Sequence, residues 1–274
     1  MLIISSKNMI KLIKLANKIR YRTCKMSHLS KAAHLGSSLS CIDILVTIFF
    51  SNIFKFNIKN NLKGDKFILS KGHAAAAFYS VLAEKKYFPI KHLSKYGKNN
   101  SIYEEHPNSK INGVICSTGS LGHGLSFGIG ISLAEKLENK KYKNIVLLSD
   151  GECNEGSVWE AAAFASAQKL NNLIVIVDSN KWQATGRTTD IVGGELFNKW
   201  KAFGWQTYRL NGNNINELLR YLKSSKSKKN NRPIAIIANT IKGKGINFME
   251  DDNNWHYRIP NKEELKDIKK ILNQ

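Results

Sequence analysis

Apolar residues along this chain cluster in two lengths. Short runs rich in aliphatic and aromatic residues occupy 66–69, 113–116, 145–149, 173–178, 206–210 and 233–239, most of them bounded by glycine, asparagine, serine or proline. Such runs predict strands. Longer stretches between them carry apolar residues at three- and four-residue spacing, which predicts helices over about 6–27, 40–52, 72–86, 123–139, 155–169, 195–203 and 213–223. A polar helix is expected over 261–274, and 223–232 (KSSKSKKNNR) reads as a solvated loop. Parallel neighbours need a crossover that a helix fills, so this alternation predicts an α/β fold. The expected form is a doubly wound, mainly parallel sheet with helices on both faces.

The sharpest unit runs from 145 to 183, IVLLSDGECNEGSVWEAAAFASAQKLNNLIVIVDSNKWQ. Two apolar runs flank an alanine-rich segment, 157–170, that holds neither proline nor glycine. In a strand–helix–parallel strand unit, residues just past both strands meet on one edge of the sheet. Those residues are Asp150, Gly151 and Asn180. A carboxylate, a bare backbone and a side-chain amide suit a magnesium ion carrying a diphosphate. Mg²⁺ takes few protein oxygens and completes its octahedron with water and phosphate. Isolated Asp-Gly or Ser-Asn would be turn chemistry, but their shared place on one crossover favours ligation. Glu155 opens the next helix, where a plain charge on the helix dipole accounts for it as well as a functional role does.

Gly119-Ser120-Leu121-Gly122-His123-Gly124 precedes another helix. Glycines let a backbone approach a phosphate closely, and a helix start offers free N–H groups. Gly122, Gly124 and Gly128 also spell GxGxxxG, an imperfect dinucleotide fingerprint. Close helix packing is a rival account for Gly128 and Gly130. His34, His73, His106 and His256 all fall at predicted element ends. Histidine carries protons at neutral pH, so four at edges point to proton transfer or anion binding. His28 and His92 read as surface residues, and His123 in the glycine loop stays ambiguous.

Composition narrows the setting. The 274 residues, 42% hydrophobic and 23% charged, are typical of a globular chain able to bury a large core. No run approaches the roughly 20 apolar residues that cross a bilayer. The opening segment puts apolar residues before charges without a small-residue cleavage site, so no membrane association and a cytoplasmic location are expected. Four cysteines without CxxC spacing read as isolated thiols. The net charge of +21 comes from 35 lysines against 7 arginines spread along the chain. Scattered lysine with little arginine reads as incidental basicity and excludes nucleic acid as the expected partner. A basic rim would still attract phosphorylated substrates.

Taken together, Asp150-Gly151, 28 intervening residues and Asn180 resemble the thiamine-diphosphate motif. The flanking segments are similar to the amino-terminal domain of transketolases: AHLGSSLS (33–40), LSKGHAAAAFYSVLAEK (69–85), HPN (106–108), STGSLGHGLSFGIG (117–130) and TIKGKG (240–245). The resemblance runs from about His34 through His256. One departure is Ser149, where the family motif begins with glycine. The resemblance implies a thiamine-diphosphate-binding fold, with one diphosphate-binding domain over 1–274. It implies Mg²⁺ (or Ca²⁺ or Mn²⁺) on Asp150, Asn180 and the carbonyl of Trp182, whose side chain would be free to vary. Gly119, Ser120, Leu121, Gly151, Glu152, His73 and His256 would face thiamine diphosphate. His34, His73, His106 and His256 would line the substrate channel, with His106 holding ketose hydroxyls and His34 and His256 moving protons. Glu155 would reach a partner domain and link paired sites.

The implied activity is transfer of a two-carbon ketol unit from a ketose or its phosphate to an aldose or its phosphate. A complete transketolase is more than twice as long, and nothing after Asn261 begins its pyrimidine-binding or carboxyl-terminal domain. The expectation is therefore a split enzyme, completed by a carboxyl-terminal subunit in an (αβ)₂ assembly. Rival readings are a deoxyxylulose-phosphate synthase-like subunit, a relative acting on unusual sugars, a nicotinamide dehydrogenase using the GxGxxxG segment, and a non-catalytic scaffold.

Overall fold

A computed structural model describes residues 6–227 and 231–274. Among them five strands form one sheet: β1 (Lys66–Leu69), β2 (Asn144–Ser149), β3 (Leu173–Ser179), β4 (Gln206–Asn211) and β5 (Ile234–Asn239). Their order is β1-β2-β3-β5-β4, and every neighbouring pair is parallel. The helices are α1 (Ser6–Ser30), α2 (Leu35–Ser40), α3 (Ile42–Phe50), α4 (Ala75–Glu84), α5 (His123–Leu137), α6 (Gly156–Ala167), α7 (Thr188–Ile191), α8 (Leu196–Ala202), α9 (Ile215–Ser227) and α10 (Lys262–Ile271).

Parallel strands covered on both faces become continuous apolar runs, and β1 and β2 are buried at every position. Alternation sorts their side chains between two cores. Ile145, Leu147, Ile174 and Ile176 join the core that includes Ile19 and Leu45 of α1 and α3, Phe78 of α4 and Leu218 of α9. Val146, Leu148, Val175 and Val177 face the other core, built on Leu125, Ile129, Val158, Ala162, Trp200 and Trp205. The expected α/β architecture holds.

Several local expectations change. No strand forms at 113–116: Gly113 has φ +94°, and Val114 N–H donates to the Ile111 carbonyl at 3.0 Å. A turn with positive φ cannot extend a ladder; Val114 is instead buried in the first core. The helix expected over 40–52 begins earlier and breaks at Cys41 (φ −96°, ψ 3°), giving α2 and α3. A 3₁₀ turn, Gly72–Ala74, precedes α4. Helix α9 runs past its expected end because Lys226 Nζ is anchored on Asp65 (2.7 Å) and the Ile53 carbonyl (2.6 Å). Part of the loop expected at 223–232 therefore is helix, and 228–230 lie outside the described residues, as do 1–5 at the chain start.

Helix α5 lies against the sheet at Gly128, where an added Cβ would sit 2.5 Å from Val146 Cγ2. At Gly130, one half-turn away, an added Cβ meets nothing within 4 Å. Gly128→Ala is therefore expected to lower unfolding free energy by about 1–3 kcal/mol through overpacking. Gly130→Ala should raise it by about 0.5–1 kcal/mol through helix propensity. Urea denaturation of the two variants checks this opposite sign.

Candidate active site

At the carboxyl edge of the sheet, turns after β1, β2, β3 and β5 surround a cavity of about 410 Å³, within the range of small-ligand sites. Its lining includes His34, Ser37, His73, His106, Gly119, Leu121, Gly151, Glu152, Glu155, Asn180, Trp182, Gln183 and His256. One parallel sheet thus gathers residues more than two hundred positions apart.

Asp150, between the lining residues Ser149 and Gly151, is 2% exposed. Its carboxylate accepts from the backbone N–H of Gly151 (3.0 Å) and Lys181 (2.6 Å). Burial pushes its carboxyl up to about 7, and the nearby Asp178 charge adds to this. Asp178 is itself held by Lys71 Nζ (2.5 Å), Ser40 Oγ (2.6 Å) and Thr240 Oγ1. Asn180 is equally buried; its Oδ1 accepts from Trp182 N–H at 3.0 Å, and its Nδ2 donates to Ser40 Oγ at 3.4 Å. Among the described residues no group of three or more His, Cys, Asp or Glu could hold a metal. A single carboxylate with neutral amide and carbonyl oxygens is the hard, incomplete donor set that Mg²⁺ shares with a phosphate ligand. The raised Asp150 carboxyl agrees, because a cation there would favour its charged form.

Backbone approach is available beside this edge. An added Cβ would lie 3.0 Å from Gln183 Oε1 at Gly151 and 3.3 Å from His106 Cδ2 at Gly119. The residues fit a metal-bound diphosphate. Glu152, expected to face the cofactor, is fully buried, and its carboxylate accepts from Ser70 Oγ (2.5 Å), Gly122 N–H (3.0 Å) and Ser149 N–H (3.1 Å). It ties the glycine loop to β2 while remaining part of the cavity lining. Ser120 is exposed and does not line the cavity, while Leu121 does.

The structure brings His34, His73, His106 and His256 together on the cavity. The His34 ring centroid lies 5.6 Å from His73, 6.1 Å from His106 and 5.0 Å from His256. His34 caps α2 in the left-handed region (φ 64°), donates its N–H to the His256 carbonyl (2.8 Å), and keeps a buried Nδ1 without a hydrogen-bond partner. A strained residue with an orphaned polar atom is typical of functional positions. Burial lowers His34 and, more strongly, His73; burial and then the Lys242 charge bring His256 down to about 3. These three imidazoles are neutral at pH 7, ready to accept or donate at different ring nitrogens.

Lys242 was not foreseen individually, although TIKGKG contains it. It is fully buried just past β5, with Nζ 2.6 Å from Asn253 Oδ1 and 3.2 Å from His256 Nδ1. Burial, then the positive charge of Lys71, lowers it to about 8. Its place past a strand's carboxyl end was the available signal. Glu155 is exposed at the start of α6 and makes no side-chain cap bond. The remaining histidines lie elsewhere: His28 Nδ1 pairs with the Pro260 carbonyl, His92 with Tyr103, and exposed His123 with the Leu121 carbonyl. Each cysteine is free. The dinucleotide reading loses its context, since α5 follows no strand and Gly124 and Gly128 pack against Ser70 and Val146.

Comparison with known proteins agrees with this geometry. Residues 12–273 match the family described as transketolase, thiamine diphosphate binding domain. An apulose-4-phosphate transketolase subunit of Actinobacillus succinogenes is 40% identical over 258 residues, covering 92% of this chain and 92% of that protein. Its counterpart in Phocaeicola vulgatus is 35% identical over 254 residues, covering 92% and 90%. The crystal structure of transketolase from Campylobacter jejuni superposes with a TM-score of 0.89 at 28% identity, over 96% of this chain and 42% of that one. The chain thus spans less than half of that solved protein.

Two measurements test the electrostatics. A carboxyl raised in the fold binds a proton that the unfolded chain has released, so stability falls as pH climbs from about 4 through 7. Asp150→Asn should remove that loss in cation-free protein, seen as a smaller drop in melting temperature between pH 5 and pH 8. Imidazole NMR should show His256 neutral throughout the same range, given its value of about 3.

Proposed function

The chain belongs to the family of transketolase thiamine diphosphate binding domains, and from that premise we propose that it is the cofactor-binding, amino-terminal subunit of a two-chain transketolase. The observation that carries this reading is one cavity joining the Asp150–Asn180 edge to four converging histidines. Two relatives that are themselves transketolase subunits align over nine-tenths of their length, which supports the split arrangement. The histidine cluster favours transketolase over a deoxyxylulose-phosphate synthase-like subunit. Residues 1–274 are read as a single diphosphate-binding domain around one sheet.

Thiamine diphosphate, when bound, supplies the electron sink that lets a carbon–carbon bond beside a ketose carbonyl break. The residues here bind, orient and move protons. Asp150, Asn180 Oδ1 and the Trp182 carbonyl would hold Mg²⁺, while the Gly119–Leu121 backbone and Gly151 admit the diphosphate. Neutral His34 and His256 would pass protons, with burial and then the neighbouring Lys242 charge keeping His256 uncharged. His73 would face the cofactor, and His106 at the rim would hold ketose hydroxyls.

A partner would complete the open side. Outward residues of α5 and α6 include Phe127 (51% exposed) and Phe164 (46%). Ser126, Gly130, Ala134, Ala163 and Ala167 of the same two helices are exposed small residues, and exposed aromatic and small side chains on neighbouring helices suit a covered surface. Glu155, at one end of α6, would reach the partner. An (αβ)₂ assembly in the cytoplasm, acting on sugar phosphates drawn by the basic rim, completes the proposal.

The purified chain with thiamine diphosphate and Mg²⁺ should show little or no ketol transfer, and a carboxyl-terminal transketolase subunit should restore it. Full activity of the lone chain would overturn the two-subunit reading. Asp150→Ala and Asn180→Ala should each weaken metal-dependent cofactor binding by more than about 100-fold, beyond the usual effect of outer-shell partners. Calorimetric titration with and without Mg²⁺ measures this.

A further inference from the structure

One wall of the cavity is lined by residues 182–185 and another by His256, and three side chains join the loops that carry them. From one wall, the chain leaving Asn180 makes a small hairpin: Trp182 and Arg187 pair across it, Gln183 N–H donates to the Gly186 carbonyl (2.9 Å), and Thr188 N–H to the Lys181 carbonyl (3.1 Å). These bonds use the carbonyls of Lys181 and Gly186 and leave that of Trp182 out. From the other wall comes Asp251, in the left-handed region (φ 59°), with its N–H on the Lys242 carbonyl at 2.9 Å.

The Asp251 carboxylate receives both Arg187 Nη1 and Nη2 at 2.8 Å, a two-pronged ion pair. Its Oδ1 also accepts from Trp182 Nε1 at 2.8 Å. The guanidinium lies 3.8 Å from the centre of the Trp182 ring. Planar, forked recognition of a carboxylate with stacking on an aromatic face is a combination lysine cannot supply. The Arg187 ion pair holds the Asp251 carboxyl below its usual range. A second tie runs through Asn253, whose Nδ2 donates to the Ala184 carbonyl (3.2 Å) while its Oδ1 receives Lys242 Nζ. The two ties therefore connect the strand-end edge to Lys242 and His256.

We propose that Arg187 and Asp251 are positioning residues: closed over the Trp182 ring, their ion pair latches the 181–188 hairpin to the wall that carries Lys242 and His256. The latch rests on the reading of this cavity as a thiamine diphosphate site, where it holds the Trp182 carbonyl in place for the cation. The Trp182 side chain, expected to be free to vary, thereby acquires a task. Because all three side chains reach solvent, the latch is weak enough to open for cofactor entry.

Hydrogen exchange of the full chain without cofactor tests the latch directly. Arg187→Ala and Asp251→Asn should each speed exchange of the 181–188 amides about tenfold while β3 keeps its protection. Each should weaken binding of thiamine diphosphate with Mg²⁺ about tenfold, and the double variant should be no weaker than either alone, because both open one contact. Arg187→Lys, which keeps the charge and loses the fork, should not restore the wild-type rate. Unchanged exchange at 181–188, or strictly additive losses in the double variant, would overturn the proposal. If the wild-type chain binds no thiamine diphosphate, the functional reading falls, and the exchange rates still decide the latch.

Discussion

The Lys71–Asp178 ion pair organises the carboxyl edge of the sheet. Both side chains are completely buried, and four segments meet on them: Lys71 follows β1, Asp178 ends β3, Ser37 and Ser40 come from α2, and Thr240 follows β5. Taking two charges out of water costs several kcal/mol per ion, so such a pair persists only where further hydrogen bonds complete it. Burial opposes a charge on Lys71, yet the adjoining Asp178 raises it overall. Removing either partner would strand a buried charge, at about 3–5 kcal/mol. Asp178, answered by Lys71, also helps raise the buried Asp150 carboxyl.

Around that pair, charge is kept off the histidines. Lys71 and Lys242 lie close enough to disfavour protonation of His73 and His256 in a setting where burial already does so. Neutral imidazoles around a basic interior can exchange protons without a large change in net charge. The three hydrogen bonds of Glu152 bind the turn after β2 to Ser70 after β1 and to the glycine loop. That loop is further seated by Gly72, whose added Cβ would lie 3.0 Å from Gly119 N. A buried carboxylate saturated by protein donors is a brace for that loop.

Much of this was legible in the chain itself. Strands at 66–69, 145–149, 173–178 and 233–239 were readable because a sheet covered on both faces demands apolar runs. The half-exposed edge strand at 206–210 was readable from its short aromatic and aliphatic content between turns. Asp150, Gly151 and Asn180 were readable because one parallel crossover fixes where its two strand ends meet. The run at 113–116 misled, since an apolar triplet beside Gly113 serves a buried turn as well as a strand. The bracing bonds of Glu152 were not readable, because a carboxylate next to Asp-Gly does not reveal which remote amides and hydroxyls its oxygens meet. Lys242 and the tasks of Trp182, Arg187 and Asp251 depend on contacts across 60 or more residues for the latch, and local pattern does not encode such partners.

Periodicity and short-range spacing dictate which residues reach a sheet edge, so the α/β class and the strand-end edge were settled within the chain. The packed fold was needed to settle which polar atoms are answered there: Asp178 by Lys71, Glu152 by three amide and hydroxyl donors, Asp251 by Arg187 and Trp182. Hydrogen bonding and burial depend on distances of tenths of an ångström between segments remote in the chain. Those distances exist only once both cores have packed.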